Sequence, residues 1–183
     1  IDDDEEWVPM VKDSPVGAED LLFCEDNSKA EFIIPNNTWV RTGGNTRLHI
    51  TALEQDRSEM EVDSGMARFY NKSTDAAIQV TTPFGTVQMP PLTACDIRLQ
   101  TDAVRIRALE GTVTFNWLHD NSNYEVSAGS ASLMRSTGSR ARQSMAALPQ
   151  SGSTFPKAGV RSGRPEGSTR REGKLTAERS SRG

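Results

Sequence analysis

Apolar and polar side chains alternate along most of the first 134 residues. In the segment 47–53, Leu48, Ile50 and Ala52 alternate with polar residues at 47, 49 and 51. A period of two places successive side chains on opposite faces of a β-strand. The pattern is therefore typical of strands with one buried and one solvated face. It recurs at 59–63, 95–99, 104–108 and 112–117.

Turn-forming residues separate these runs about every ten residues. We expect six glycines to mark chain reversals between strands: Gly43, Gly44, Gly65, Gly85, Gly111 and Gly129. About a dozen short strands at this spacing predict an all-β fold, because each strand must bury one face against another sheet. The expected architecture is an antiparallel β-sandwich or a barrel-like sandwich.

The alternation ends after Met134, and Ser, Gly, Arg, Ala and Pro dominate residues 135–183. This composition buries too little apolar surface to offset the entropy of ordering, so it predicts a disordered basic tail. An out-of-frame gene end is the alternative origin of such a tail. We therefore divide the chain into a β domain, residues 1–134, and a tail, residues 135–183.

The charge is distributed unevenly between these two parts. Residues 1–134 contain 22 acidic and 10 basic residues, whereas residues 135–183 contain 3 and 11. The basic tail is a weak candidate for a nucleic-acid arm because it lacks interleaved aromatic residues, and we do not expect nucleic acid as a partner. No apolar run approaches the roughly 18 residues that a membrane helix needs, so we expect no membrane span in this chain.

Motifs for catalysis or for cofactor binding are missing from the sequence. His49 and His119 are the two histidines, and neither has a second histidine at ligand spacing. Nucleophile-elbow, zinc-protease, P-loop and dinucleotide-binding motifs are absent as well. We therefore predict no enzyme activity, no catalytic residues, no metal site and no cofactor.

A carbohydrate-binding or carbohydrate-cleaving sandwich is the alternative function. It would use exposed aromatic side chains for stacking, from Trp7, Trp39 or Tyr124, and a carboxylate pair among Glu59, Glu61 and Asp63. Core packing of the tryptophans and a solvated sheet face for the carboxylates are the favoured interpretations.

Two cysteines, Cys24 and Cys95, lie far apart in the sequence. Three alternatives stay open for them: buried free thiols, a disulfide bond, or an unrelated exposed thiol. Their spacing alone does not select one.

Several segments together resemble the FecR domain family. They are KAEFII at 29–34, TWVRTGGNTRLHI at 38–50, MEVDSGMARF at 60–69, IQVTTPFG at 78–85, VRIRALEGTV at 104–113 and YEVSAG at 124–129. The segment MPPLTACDIRL at 89–99 is most similar to the variant found in uncharacterised secreted bacterial proteins. The family's opening strands precede a segment like the one at 7–10, so the N-terminal strands are expected to be truncated here.

The resemblance implies a non-catalytic, all-β domain outside the cytoplasm of a bacterium, in the periplasm or beyond the cell. Its expected role is to bind a protein or a cell-envelope component, with signal sensing or transduction as the broader function. Strand edges or the polar face of a sheet would supply the binding surface.

Overall fold

The computed structural model describes residues 7–136 and the backbone of three further short segments. Fourteen strands lie within 7–136, and no helix occurs there. The strands form two sheets. Seven neighbouring strands of the first sheet are, in spatial order, β2 (Asp20–Cys24), β5 (Thr46–Leu53), β6 (Arg57–Ser64), β8 (Ala77–Thr82), β9 (Gly85–Met89), β12 (Thr112–Trp117) and β13 (Asn123–Ser127).

The second sheet contains six strands from the same range. In spatial order these are β14 (Ser130–Arg135), β11 (Ala103–Glu110), β10 (Thr93–Leu99), β7 (Met66–Asn71), β4 (Thr38–Thr42) and β3 (Ala30–Ile34). The three further segments extend the sheets: β15 (Arg140–Ser144) pairs with β14, while β16 (Gly159–Gly163) and β17 (Arg171–Thr176) join β1 (Val8–Met10) beyond β2.

The chain crosses repeatedly from one sheet to the other. Hairpins such as β5–β6, β8–β9 and β12–β13 stay in the first sheet, and single strands or other hairpins between them lie in the second. Because β7 lies in the second sheet, β6 and β8 become neighbours in the first sheet and run parallel. All other pairings among the strands of residues 7–136 are antiparallel.

Glycines occupy several tight connections between strands. Gly65 links β6 to β7 with φ +80°, and a Cβ there would lie 2.4 Å from Thr46 Oγ1. Gly85 opens β9, and a Cβ there would lie 2.0 Å from the carbonyl oxygen of Asn116. Only glycine fits these approaches without moving the neighbouring strand. The other four glycines also lie between strands: Gly43 and Gly44 between β4 and β5, Gly111 between β11 and β12, and Gly129 between β13 and β14.

The core lies between the two sheets and is made of the inward-facing set of alternating residues. Its largest fully buried side chains include Phe69 and Phe115, together with Leu48, Ile97 and Ile106. Burial of each such side chain stabilises the fold by about 1.5–3 kcal/mol. The predicted all-β sandwich of short strands is thereby confirmed.

The predicted tail falls mostly outside the described residues. Its segments at 140–144, 159–163 and 171–176 have strand backbone. The expected disorder of the remainder, the domain boundary at residue 134 and an out-of-frame origin stay predictions.

Candidate functional site: the basic outer face of the second sheet

The outer face of the second sheet carries an unusual concentration of basic side chains. Of the ten basic residues in 1–134, six lie on this face: Arg41, Arg68, Lys72, Arg98, Arg105 and Arg107. They belong to β4, β7, β10 and β11 or their ends, at positions that alternate with the buried core residues. We call this surface, with Trp39 and Tyr70, the basic face.

The strand register arranges charged residues into one row across the sheet. Glu31, Arg41, Arg68, Asp96 and Arg107 occupy directly opposite positions on five neighbouring strands. Arg41 donates a hydrogen bond to the Glu31 carboxylate. Arg68 is bidentate: Nε and Nη2 donate to the two carboxylate oxygens of Asp96, the second at 2.9 Å. Arg107 therefore ends the row opposite a carboxylate that already binds another guanidinium.

The Arg68–Asp96 pair is the most enclosed ion pair of the face. Its side chains are 18% and 15% exposed. Hydrogen bonds to Asp96 raise the pKa of the Arg68 guanidinium, although partial burial opposes this. In such a low-dielectric setting a bidentate guanidinium–carboxylate pair is short, oriented and strong. The pair therefore fixes the centre of the basic face in one geometry.

Three arginines form a second feature, which we call the arginine cluster: Arg98, Arg105 and Arg107. Arg98 lies directly opposite Arg105 in the β10–β11 register, and Arg107 is two residues further along β11. A small concavity of about 120 Å³ lies among them, lined also by Met66 and Asp96. Arg98 Nη2 contacts Met66 Sδ at 3.2 Å. Like charges placed opposite each other on antiparallel strands destabilise a sheet, so this arrangement has an electrostatic cost.

A groove with aromatic walls lies beside the charged row, and we call it the aromatic groove. Its volume is about 480 Å³, and it is lined by Trp39, Arg41, Tyr70, Asn71, Lys72, Thr93 and Glu110. Lys72 Nζ lies 4.6 Å from the Trp39 ring centroid, and Arg41 Cζ lies 5.3 Å from the Tyr70 centroid. Each aromatic ring is thus covered by a cation in a stabilising cation–π contact.

The outer face of the first sheet has different chemistry. Threonine and glutamine pair across its strands, as in Thr81 opposite Thr86, and Gln88 donates a hydrogen bond to Gln79 at 2.7 Å. Among the residues described in 7–136, the arginines of this face sit beside carboxylates: Arg57 Nη2 is 2.8 Å from Glu59 and Arg47 Nε is 3.7 Å from Asp63. We call this surface the neutral face.

Two of the three aromatic side chains named for a carbohydrate-active site, Trp39 and Tyr124, lie away from the carboxylates named for it. Glu59, Glu61 and Asp63 belong to β6 of the first sheet, whereas Trp39 belongs to β4 of the second. Trp7 packs against Phe23 with ring centroids 5.7 Å apart. Tyr124 is half-buried against the core. Trp39 and Tyr124 therefore do not join the carboxylates, which line the neutral face; Trp7 packs on Phe23 of the same face, where Phe23 lies opposite Arg47.

The two cysteines are free thiols on the inner sides of different sheets, Cys24 on β2 and Cys95 on β10. Cys24 Sγ lies 3.2 Å from Thr42 Oγ1. Burial raises the pKa of the Cys24 thiol to about 11, and burial likewise raises the pKa of Cys95. Both side chains therefore act as small, protonated core residues rather than reactive groups.

The structure offers little for metal chemistry in the part of the chain that it describes. His49 is buried between Glu61 and Glu19, with ring nitrogens 3.3 Å and 3.7 Å from their carboxylates. Even so, no group of three or more histidine, cysteine or acidic residues there has metal-binding geometry. Over the same residues no helix has the length and apolar character to cross a membrane.

The fold places the described residues in the class of two-sheet, all-β domains in which the chain alternates between the sheets. The model of the FecR protein family matches residues 20–114, which is more than half of the chain. This chain belongs to the FecR family. That assignment confirms the resemblance seen in the sequence motifs.

Solved structures show the same fold. Two crystal structures of a candidate anti-sigma factor from Parabacteroides distasonis ATCC 8503, at 1.65 Å and 2.50 Å resolution, match with a TM-score of 0.59 and 13% sequence identity. The match covers 67% of this chain and 58% of that chain. At this identity the likeness is one of fold. None of the curated proteins compared with this chain matches it.

The alternation of apolar and polar residues does not predict the basic face. The positions of Arg105 and Arg107 predict only a solvated strand face, because the strands that neighbour β11 are not known from the sequence. The signal was present as arginine at every second position in 105–107, with Arg98 one hairpin earlier. Only the register, which sets Arg98 against Arg105 and Asp96 against both Arg68 and Arg107, brings the charges together.

Proposed function

We propose that this chain is a regulatory module of bacterial signal transduction that acts outside the cytoplasm and binds a protein partner through the basic face. One observation carries the proposal: six of the ten basic residues of an otherwise acidic stretch lie on one outer sheet face. Membership of the FecR family supports the regulatory role and the extracytoplasmic location.

The basic face has the properties of a recognition surface. Its aromatic and arginine side chains are the types enriched where protein interfaces gain most of their binding energy. Paired groups such as Arg68 and Asp96 are held rigidly, so little side-chain entropy is lost when a partner docks on them. The excess of positive charge would also steer an acidic partner towards this face and speed its association.

Site-specific photo-crosslinking in bacterial cells tests the location and the surface together. A photoreactive amino acid is placed at Arg98 or Lys72 on the basic face, or at Gln79 or Thr114 on the neutral face as matched controls. The expected result is one discrete crosslinked protein from the basic-face positions, none from the controls, and recovery of the adduct in the extracytoplasmic fraction.

Two results would contradict the proposal. Equal crosslinking from both faces would remove the assignment of the surface. Recovery of the chain and its adducts in the cytoplasm would remove the location. The regulatory role is tested separately: blocking the basic face by the double charge reversal Arg98→Glu and Arg107→Glu is expected to change the transcriptional response of the cells, whereas Arg47→Glu with Arg57→Glu is not.

A further inference from the structure

Strand β3 lies at one end of the second sheet. It pairs with β4 along Ala30–Ile34, and no other strand of the described residues lies on its second side. In an antiparallel ladder, every second residue of such an edge strand directs its N–H and C=O groups away from its neighbour. The open side of β3 therefore offers backbone donors and acceptors to which a further strand can bind.

The features that usually protect a sheet edge are missing from β3. Its sequence, AEFII, contains no lysine and no proline, and its register with β4 is continuous, without a bulge. Ile33 lies on the outer face and is 53% exposed. Strand β13, at the end of the first sheet, is instead mostly polar, with Val126 as its one aliphatic residue. Since straight apolar edges readily pair with other chains, β3 is the better suited of these two edges to receive a strand.

The sequence of β3 is complementary to a second copy of itself. In an antiparallel pair centred on Phe32, Ala30 faces Ile34 of the other copy and Glu31 faces Ile33. The pair ends with the strand, because Pro35 follows directly and has no N–H with which to extend a ladder. The two-fold axis of such a pair is perpendicular to the sheet, so inner side chains meet inner ones and outer side chains meet outer ones.

The side chains suit this register on both faces of the sheet. On the inner face, Phe32 meets its own symmetry mate, which covers the 7% of its surface that is exposed. On the outer face, Ile33 meets Glu31 of the other copy, whose carboxylate accepts a hydrogen bond from Arg41 and is thereby neutralised. The two copies of Ile33 become diagonal neighbours about 7–8 Å apart, a distance at which side chains of a sheet still interact.

We infer that β3 binds a second copy of this chain, as an antiparallel strand pair centred on Phe32 that joins two second sheets into one. The inference is independent of the proposed function but extends its surface. Both basic faces lie on one side of the joined sheet. Across the seam, the charged row of one copy continues into the row of Ile33, Trp39 and Tyr70 of the other.

Sedimentation velocity of the full chain over about 5–500 μM tests the dimer. The interface is one short strand per copy, so a dissociation constant on the order of 10–100 μM is expected. The measurement is made in about 0.5 M NaCl, because salt weakens association between the basic residues of 135–183 and the acidic remainder of another copy. Backbone hydrogen bonds and apolar contacts between two β3 strands persist in that salt.

Three substitutions of exposed apolar residues test the register. Ile33→Glu sets two carboxylates against each other across the seam and is expected to raise the dissociation constant at least about tenfold. Ile33→Lys removes the same apolar surface but faces Glu31, so a change within about threefold is expected. Leu118→Glu, at a residue that is 68% exposed and lies beyond the end of β12, is the matched control with an expected change below about twofold.

Amide hydrogen exchange locates the contact without any substitution. The unaltered chain is compared at about 5 μM and at about 500 μM, since a paired amide exchanges more slowly than one exposed at an edge. Slower exchange at the higher concentration is expected in residues 30–34 and not in residues 123–127 of β13.

Several outcomes would overturn the inference. A chain that stays monomeric at the highest concentration, or a dimer that is equally stable in Ile33→Glu, would remove β3 as the contact. Slower exchange in 123–127 would assign the contact to β13. Protection of 30–34 only in the presence of a crosslinked protein partner would assign the edge to a strand of that partner. A monomer that still crosslinks through Arg98 or Lys72 would leave the proposed function standing, whereas a dimer without crosslinks would leave only this inference.

Discussion

The neutral face and the basic face are both outer sides of β-sheets, but they differ in the arrangement of their charged side chains. Each is the outer side of a sheet whose inner side packs into one shared core. On the neutral face, arginines 47 and 57 lie beside carboxylates on their own or the neighbouring strand. On the basic face, strand register instead places Arg98 against Arg105. This difference in the charges that strand register brings together is the reason for proposing the second sheet, and not the first, as the binding surface.

Tight connections such as the one at Gly65 lead the chain from one sheet to the other, and disrupting such a connection is expected to have the largest effect on stability. In Gly65→Ala, the new Cβ would lie 2.4 Å from Thr46 Oγ1 at φ +80°. We expect a loss of about 3 kcal/mol in the free energy of unfolding, measured by urea denaturation.

Gly129→Ala is the matched control for Gly65→Ala. Gly129 has the same φ of +80°, but no heavy atom lies within 4 Å of its added Cβ. Only the conformational cost of about 1 kcal/mol is expected there. Equal losses in the two variants would show that the close approach at Gly65 contributes nothing.

The second prediction compares one ion pair from each face. Arg68→Ala leaves Asp96 without its bidentate partner in a setting where both side chains are mostly buried, so a loss of about 2 kcal/mol is expected. Arg57→Ala breaks a pair whose side chains are 47% and 33% exposed, and a loss of about 0.5 kcal/mol or less is expected. Urea denaturation measures both. Similar losses would mean that the two ion pairs contribute equally to the free energy of unfolding in spite of their different burial.

The third prediction compares the rates at which the buried cysteines of the two sheets, Cys24 and Cys95, become accessible to a reagent. Cys24 lies on β2, which pairs with β17 at a single position, whereas Cys95 lies on β10, which pairs along its length with β7 and β11 and is 0% exposed at this residue. Alkylation by iodoacetamide at pH 8, followed by mass spectrometry, is expected to label Cys24 at least about tenfold faster, because regions with fewer paired neighbours open more readily. Faster labelling of Cys95 would contradict this order, and a mass two units lower with no labelling after unfolding would reveal a disulfide bond.

The same thiols give a direction for stability against pH. Burial raises the pKa of Cys24 from 9.0 to about 11, so the folded state holds this proton more tightly than the unfolded chain does. The resulting stabilisation is complete below pH 9 and is lost as the pH rises from 9 towards 11. Cys24→Ala is expected to flatten this part of a stability–pH curve measured by urea denaturation. An unchanged curve would assign the alkaline loss to other groups.

The smallest expected effect has the opposite sign. Arg98→Gln removes one of two like charges that face each other, so the free energy of unfolding is expected to rise by about 0.5 kcal/mol. Arg47→Gln, which removes an arginine beside Asp63, is expected to leave it unchanged or lower it slightly. A loss of stability in Arg98→Gln would mean that the contact with Met66 outweighs the repulsion.

Much of the fold follows from the sequence because its cause is local. Alternation in 47–53 predicts β5, and the glycine at 65 predicts the reversal into β7. The parallel pairing of β6 with β8 could not be predicted in this way, because it depends on β7 leaving the first sheet. The basic face was missed for the same reason: Arg68 and Asp96 are 28 residues apart in the chain, and only register makes them partners.

The parallel pair of β6 and β8 also constrains how the molecule can assemble. Because the strand between them belongs to the opposite layer, neither layer is a contiguous stretch of chain that could form and persist alone. Both must close at nearly the same time, over contacts that are distant in sequence, which is the condition for slow and all-or-none folding. A nascent chain that has been synthesised only as far as β7 therefore exposes apolar residues of the core. These residues stay open to aggregation or to binding by chaperones until the strands up to β14 have been added.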